Sequence, residues 1–198
     1  MTPYEVAVAV PFGGITALDF LKAGDIQPGQ RVLIYGASGS VGTYAVQLAH
    51  HFGTDVTAVC STANLEMVRS LGADRVLDYT KEDFTQGGQV YDIVFDTVGK
   101  TTFAQCKNVI KVNGYYLNAV MPLVGVKGPW YWLTARRHIV GGSPPKQPDV
   151  LNVLLSMVAA GTLRPVIERV YPWEQIAEAH RHVDTGRKKG NVVIQVAP

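Results

Sequence analysis

The segment from Val32 to Gly42 constrains the fold of this chain more than any other. Four residues typical of a buried strand, Val32 to Tyr35, run directly into a glycine turn, residues 36–42, with the sequence Gly-Ala-Ser-Gly-Ser-Val-Gly. Apolar residues at helical spacing follow the turn: Val41, Ala45, Leu48, Ala49 and Phe52. A strand that passes through a glycine turn into a helix is the context that a dinucleotide-binding fingerprint requires.

Apolar strands alternate with helices along most of the chain. The predicted strands are Val32–Tyr35, Asp55–Cys60, Arg75–Tyr79, Ile93–Asp96, Tyr115–Val120 and His138–Gly141. Helices are predicted after the glycine turn, around Leu65 to Leu71, over Thr101–Ile110 and over Asp149–Ala160. Strands that are apolar on both faces and alternate with helices indicate an α/β fold, a Rossmann-type doubly wound parallel sheet of about six strands. Ligands bind such sheets at the carboxyl ends of the strands.

The pattern changes after Gly161. A strand over Val166–Tyr171, a helix from Trp173 to about Asp184 and a strand over Asn191–Val196 predict a separate β-α-β tail. We therefore expect two units: residues 1–162, the dinucleotide-binding domain with an N-terminal lead-in helix, and residues 163–198.

Composition excludes several classes of protein. The 198 residues carry a net charge of +2, and the only tight basic run is Arg187-Lys188-Lys189, so no nucleic-acid partner is expected. Cys60 and Cys106 are too few for a disulfide framework, which favours a reduced, cytoplasmic setting. The charge-free stretches fall short of a membrane span, and we expect no membrane association.

The glycines of the turn suit a pyrophosphate. Gly39 lets the backbone approach the phosphates, Gly42 allows the helix to pack against the strand, and the helix start offers free N–H groups. Ala37 replaces the first glycine of the usual G-x-G-x-x-G pattern. A Walker A loop is excluded because Val41 stands where its second glycine belongs. None of the nine tyrosines has Lys four residues later, which excludes the short-chain dehydrogenase signature.

The end of the second strand predicts the choice of cofactor. A carboxylate there accepts ribose hydroxyls and repels a 2′-phosphate, and the segment Cys60-Ser61-Thr62-Ala63-Asn64 contains none. NADP(H) is therefore preferred, with NAD(H) possible. The segment also contains no cation, so Arg69 and Tyr79 would have to contribute. Alternatively, Ser61 or Thr62 only caps the next helix.

Several motifs, in matching order and spacing, resemble one known family over essentially the whole chain. They are residues 11–18 (Pro-Phe-Gly-Gly-Ile-Thr-Ala-Leu), the glycine turn, 71–74 (Leu-Gly-Ala-Asp), 78–79 (Asp-Tyr), 91–99 and 186–193. The chain resembles the zinc-independent quinone oxidoreductase branch of the medium-chain dehydrogenase/reductases. The resemblance implies an NADPH-dependent oxidoreductase that transfers a hydride to a conjugated carbonyl of a quinone, enone or aldehyde-type substrate.

The resemblance also implies roles for individual residues. Thr16 matches a contact to the nicotinamide carboxamide, and Thr97, Val98 and Gly99 match the wall near the nicotinamide ribose. The other matching cofactor-binding positions are Ala37, Ser38, Gly39, Ser40 and Val41 at the pyrophosphate, Ser61, Asn64 and Tyr79 at the adenosine phosphate, and Asn118, Val120 and Asn191. No catalytic residue is assigned within the chain.

The sequence departs from the family pattern in two ways. Phe12 stands where the alcohol dehydrogenases of this family place a zinc-ligand cysteine, and nothing nearby has ligand spacing, so no metal site is expected. The family also carries a GroES-like catalytic domain ahead of the position of Met1. We therefore expect residues 163–198 to be the returning segment of that domain, and the chain alone to bind cofactor without catalysing the reaction.

Three other functions fit the same residues. One is an enoyl reductase domain of a polyketide synthase, a second is a non-catalytic nucleotide-binding or interaction module, and a third is a Rossmann domain for a flavin or S-adenosylmethionine. A homodimer is expected through the apolar segment Met121–Leu133, which contains Trp130 and Trp132, together with an edge strand at His138–Gly141. Alternatively, these rings cover the docking face of the catalytic domain or line the substrate pocket.

Overall fold

The computed structural model describes residues 3–120, 136–143 and 149–196. The described helices are α1 (Tyr4–Ala23), α2 (Ser40–His51), α3 (Leu65–Arg69), α4 (Phe103–Cys106), α5 (Val150–Ala159) and α6 (Ile176–Asp184), with short 3₁₀ turns at Thr62–Asn64 and Trp173–Gln175. The strands are β1 (Arg31–Tyr35), β2 (Asp55–Cys60), β3 (Arg75–Asp78), β4 (Tyr91–Asp96), β5 (Ile110–Asn118), β6 (His138–Gly141), β7 (Ile167–Pro172) and β8 (Asn191–Gln195).

The first six strands form one sheet in the order β3-β2-β1-β4-β5-β6, and every adjacent pair is parallel. This confirms the predicted Rossmann-type sheet of six strands. The strand order reverses between β1 and β4, where Ile34 pairs with Ala58 on one side and Phe95 on the other. In such a sheet the polypeptide leaves β1 and β4 toward opposite faces, which opens a crevice at the carboxyl ends of these two strands.

The core lies on both faces of the sheet because successive strand residues point to opposite sides. Ile34 and Phe95 pack on the face covered by α1, α2 and α5, where the rings of Phe20 and Phe95 stack with centroids 5.3 Å apart. Leu33 and Val94 pack on the other face, under α4 and the segment that precedes β4. The middle residues of the central strands, Val32–Ile34 in β1 and Ile93–Phe95 in β4, are apolar on both faces, as the sequence indicated.

The lead-in helix α1 is 20 residues long and contains Pro11. By length and composition alone this helix could cross a membrane, and half of its most apolar window is buried inside the protein. The helix is longer than the charge-free stretch Val6–Leu18 that it contains. Close packing fixes its position: a Cβ at Gly13 would lie 2.7 Å from Ser40 Oγ, and the Tyr44 hydroxyl donates to Ala9 O at 3.0 Å.

The helix predicted near Thr101–Ile110 is present but shorter than expected. Only Phe103–Cys106 is helical, started by a capping box between Thr102 and Gln105, and Ile110 already pairs with Tyr91 as the beginning of β5. β5 therefore begins at Ile110, before the predicted start at Tyr115, and its pairing with β4 shifts register between Tyr91 and Ile93. The Lys111 ammonium lies 2.7 Å from the Asp92 carboxylate, which also accepts from Arg31 N, so charged residues hold this start.

The tail forms a second, two-stranded parallel sheet of β7 and β8 with α6 between them in sequence. Its β-α-β order agrees with the prediction. An isolated bridge joins Gly190 to Gly39 in the glycine turn, so the tail reaches the start of α2.

Candidate nucleotide-binding site

The glycine turn lies at the carboxyl end of β1, at the centre of the sheet. Gly36 has φ +80°, and the amides of Gly36 and Ala37 both donate to Val59 O, at 3.1 and 3.0 Å. A Cβ at Gly42 would lie 2.2 Å from Gly36 O, so only glycine fits there. Among the described residues, a Cβ at Gly39 would contact only Gly36 O, at 3.5 Å, which leaves space above the turn free of the described chain.

Helix α2 begins with its N–H groups directed at that space. Gly39 is the N-cap and has no side chain that could accept from them, and the first helical bond runs from Thr43 N to Gly39 O at 2.9 Å. The first turn of an α-helix leaves N–H groups without intrahelical partners and carries a partial positive charge. This start therefore favours an anion, as the sequence predicted.

The tail braces the glycine turn from the side. Gly190 N donates to Ser38 O at 2.8 Å, and the Ser40 hydroxyl donates to Asn191 Oδ1 at 2.6 Å. The backbone N and Nδ2 of Asn191 both donate to Val166 O, at 2.8 and 3.0 Å. The structure thus brings the predicted residues Ser38, Ser40 and Asn191 together, with the Asn191 amide engaged within the protein.

The predicted adenosine-phosphate residues meet at the ends of β2 and β3. Tyr79 N donates to Cys60 O at 3.1 Å, which places Tyr79 beside Ser61. Asn64 is only 7% exposed; its Nδ2 donates to Ser61 Oγ at 3.2 Å, whereas its Oδ1 is buried without a partner in the described chain. A buried acceptor without a donor is costly, so this atom marks a place for a ligand donor.

The sequence analysis assigned no role to Asp78, although it belongs to a motif of the resemblance. In the sheet Asp78 pairs with Cys60, and its carboxylate accepts from the hydroxyls of Thr62 and Thr80. These hydrogen bonds, first that of Thr62, lower the pKa of Asp78 to about 2, so the group stays ionised. The β2 end itself is free of acids, but an acid lies one strand away. Only the register of β2 against β3 would have disclosed it.

Asp96 shapes the loop after β4. This fully buried carboxylate accepts from Val98 N at 2.9 Å, Gly99 N at 2.8 Å and Thr101 N at 2.6 Å. The Thr97 hydroxyl donates to Tyr35 O at 2.9 Å, which ties the loop to β1. The predicted ribose wall therefore lies against the glycine turn and is held by a residue that sequence reasoning did not single out.

The remaining predicted contacts lie around this crevice. Asn118 Oδ1 accepts from Val120 N at 3.0 Å, and a Cβ at Gly99 would lie 3.0 Å from Val120, so the β4 and β5 ends are neighbours. Thr16 is on α1, one turn beyond the contact of Gly13 with Ser40, and its hydroxyl donates to Phe12 O at 2.7 Å.

The site contains no activated thiol among its neighbours. Burial raises the pKa of the Cys60 and Cys106 thiols to about 11, so neither is a thiolate at neutral pH. Within residues 3–120, 136–143 and 149–196, no three His, Cys, Asp or Glu side chains lie close enough together to hold a metal ion. Phe12 is 77% exposed, and His182 pairs with Glu168 at 2.8 Å. The described residues do not fit a zinc ion.

A family model described as "Zinc-binding dehydrogenase" matches residues 71–194. In an alignment 222 positions long, the chain is 32% identical to the mitochondrial NAD(P)H oxidoreductase RTN4IP1 of Mus musculus, covering 96% of the chain and 55% of that protein. In an alignment 199 positions long, it is 33% identical to the chloroplastic NADPH-dependent alkenal/one oxidoreductase of Arabidopsis thaliana, covering 98% of the chain and 48% of that protein.

Solved structures have the same fold. The quinone oxidoreductase from Coxiella burnetii superposes with a TM-score of 0.84 at 28% identity, over 96% of this chain and 60% of that one. The chain thus spans about half the length of the curated relatives it matches. Because the family model matches more than half of the chain, the chain belongs to the zinc-binding dehydrogenase family of medium-chain dehydrogenase/reductases, a family of oxidoreductases.

Proposed function

We propose that the chain binds NADP(H) across the carboxyl ends of its central strands and forms the cofactor half of a quinone or enone oxidoreductase. The observation that carries this proposal is the glycine turn at the start of α2, located where the strand order reverses, with space above Gly39 that is free of the described chain. An anion-favouring helix start at this point of a doubly wound sheet is suited to a pyrophosphate.

The residues present fit a dinucleotide. Gly36–Gly42 would receive the pyrophosphate at the N–H groups of α2, and Thr97 to Gly99, fixed by Asp96, would border the nicotinamide ribose. The unpartnered Asn64 Oδ1 would accept from a donor on the adenosine half. Thr16 would exchange its bond to Phe12 O for one to the nicotinamide carboxamide.

When bound, NADPH supplies the hydride for a conjugated carbonyl. This chain's own part is to hold the two halves of the cofactor and to keep the loop after β4 rigid, since orientation of the reacting groups lowers the barrier. We assign it no proton donor and no nucleophile. The names of two relatives, an alkenal/one oxidoreductase and a 2-methylene-furan-3-one reductase, support enones as the substrate class.

A second candidate is an enoyl reductase of a polyketide-type pathway. A trans-enoyl reductase from Aspergillus terreus is 30% identical in an alignment 194 positions long, which covers 85% of the chain. The chemistry is again hydride transfer to an activated double bond, so the cofactor site described here would serve either substrate.

Hydride transfer proceeds without zinc, because Phe12 stands where the alcohol dehydrogenases of the family have a zinc-ligand cysteine, although the family description names zinc. Residues 163–198 belong to the catalytic domain of the whole protein. The protein forms a homodimer in which β6, an edge strand of the sheet, pairs with its symmetry mate. Its location is cytoplasmic, whereas two relatives have mitochondrial or chloroplastic names.

Calorimetric titration of the chain with NADPH and with NADH tests the cofactor proposal, and metal analysis of the purified protein tests the absence of zinc. We expect binding of both nucleotides, tighter for NADPH, and no zinc. A thermal-shift panel with FAD and S-adenosylmethionine serves as the control. Stabilisation by either of those alone, or stoichiometric zinc, contradicts the corresponding part.

A further inference from the structure

The sequence provides no cation at the end of β2, where a 2′-phosphate would lie, and the structure brings one there from elsewhere. Lys81 follows β3, and its ammonium lies 3.6 Å from the Asp78 carboxylate. The same carboxylate accepts from the hydroxyl of Thr62, in the segment that follows β2. Lys81 is therefore held beside the β2 end through Asp78, although the two segments are far apart in sequence.

Asp78 is poorly suited to the role of a ribose-binding acid. Its Oδ1 accepts from both N and Oγ1 of Thr80, at 3.0 and 2.7 Å, and its Oδ2 faces Thr62 and Lys81. A carboxylate offers about four acceptor positions, of which three receive hydrogen bonds from Thr62 and Thr80, and the Lys81 ammonium faces Oδ2 at 3.6 Å. Asp78 thus lies beside Lys81 and has at most one acceptor position for the two hydroxyls of an NADH ribose.

Two hydroxyl groups belong to the same end of the sheet as Lys81, that of Ser61 directly after β2 and that of Tyr79 directly after β3. Because Ser61 Oγ accepts from Asn64 Nδ2, its hydrogen is directed elsewhere and can be donated to a ligand. The Tyr79 side chain is 52% exposed, and with Lys81 and Lys100 it lines a cavity of about 460 Å³. Glu82 and Asp83 line the same cavity, so an anion would be selected by the position of the donors, not by an overall positive charge.

We propose that Lys81, together with the hydroxyls of Ser61 and Tyr79, recognises the 2′-phosphate and sets the preference for NADPH over NADH. This inference rests on the proposed function and extends it. The charged residue that determines specificity is then Lys81, which follows β3, and not a residue of the acid-free segment after β2. The Lys81 ammonium would be shared between the phosphate and Asp78.

The test compares Lys81→Ala, Lys81→Arg and Lys107→Ala in calorimetric titrations of the 198-residue chain with NADPH and NADH. Lys107 is an exposed lysine that does not line the cavity, which makes it a matched control. We expect Lys81→Ala to weaken NADPH binding about five- to tenfold, with unchanged NADH binding, since the pair is largely exposed. Lys81→Arg should retain the preference, and Lys107→Ala should behave as wild type.

The dependence of NADPH affinity on ionic strength provides a second measurement. Lys81→Ala would not change this dependence if Lys81 had only a structural role. NADPH binding by the wild type should weaken with ionic strength more steeply than binding by Lys81→Ala, because one charge pair has been removed. A wild type that prefers NADPH, with the same preference in Lys81→Ala, overturns the assignment of Lys81 alone. Equal losses for both nucleotides also overturn it. A wild type that binds neither nucleotide, or prefers NADH, refutes the proposed cofactor together with this inference.

Discussion

Replacing Gly39 by alanine should separate nucleotide binding from stability. The φ of Gly39 is −81°, which any residue adopts, and a Cβ there would be 3.5 Å from Gly36 O, an ordinary contact. Alanine is a poorer N-cap than glycine but restricts the unfolded chain, so the free energy of unfolding should change by about 0.5 kcal/mol or less. The added methyl group would project into the space proposed for the pyrophosphate.

The cost in binding follows from that crowding. A methyl group that forces a well-packed contact apart costs about 1–3 kcal/mol, which corresponds to a roughly 5- to 150-fold increase in Kd for NADPH. Urea denaturation measures the stability of the variant and calorimetry measures its affinity. An affinity equal to that of the wild type in a folded Gly39→Ala protein refutes the placement of the pyrophosphate.

Two glycine variants are the matched controls. Gly42→Ala puts a Cβ 2.2 Å from Gly36 O, a backbone atom that cannot easily move, so it should lose stability as well as binding. In the part of the chain that the structure describes, the Cβ of Gly87→Ala meets only Phe84 O, at 3.9 Å, so this variant should leave both properties unchanged. If Gly42→Ala were as stable as Gly87→Ala, the close packing of α2 against the glycine turn would be wrong.

Three further predictions concern Asp96, Asp78 and self-association. Asp96→Ala deprives the amides of Val98, Gly99 and Thr101 of their acceptor and should cost about 2–4 kcal/mol in urea denaturation; a loss below about 1 kcal/mol contradicts its bracing role. The pKa of Asp78 is lowered from 3.8 to about 2 in the folded protein, so its stabilisation is complete above pH 4 and is lost as the pH falls toward 2. Asp78→Asn should therefore flatten the acid limb of the stability curve, and an unchanged limb contradicts this. In sedimentation at micromolar concentration the wild type should be a dimer weakened by the double substitution Trp130→Ala and Trp132→Ala, residues that lie outside the described part of the chain; a monomer, or an unchanged dimer, counts against this interface.

The sheet could be predicted from the sequence because its central strands are apolar on both faces. Ile34 and Leu33 are both fully buried although they point to opposite sides, a pattern typical of strands in a parallel sheet that is covered on both faces. The glycine turn was recognisable for a related reason, since Gly36 and Gly42 meet local requirements of backbone conformation and close packing. Both the apolar strands and the glycine turn can be recognised from residues that are adjacent in the sequence.

Prediction failed where the determining contact is distant in sequence. Asp78 reaches Thr62 only through the register of β2 and β3, and Ser40 donates to a residue 151 positions away, Asn191. The spacing of apolar residues along the sequence carries no information about side-chain contacts of this kind. The start of β5 was missed because its residues Lys111 and Asn113 are polar. An ion pair of Lys111 with Asp92 and a hydrogen bond from Asn113 N to Arg136 O stabilise this stretch.

The most direct test of the nucleotide site is the position of the cofactor itself. A titration of the isotopically labelled chain with NADPH, followed by amide chemical shifts, should perturb Ser40, Val41 and Gly42 at the start of α2 most strongly. The amides of residues 97–99 should follow as the nicotinamide half is placed. Saturable shifts confined to another surface, or none at millimolar NADPH, would contradict the assignment of the glycine turn as the dinucleotide site.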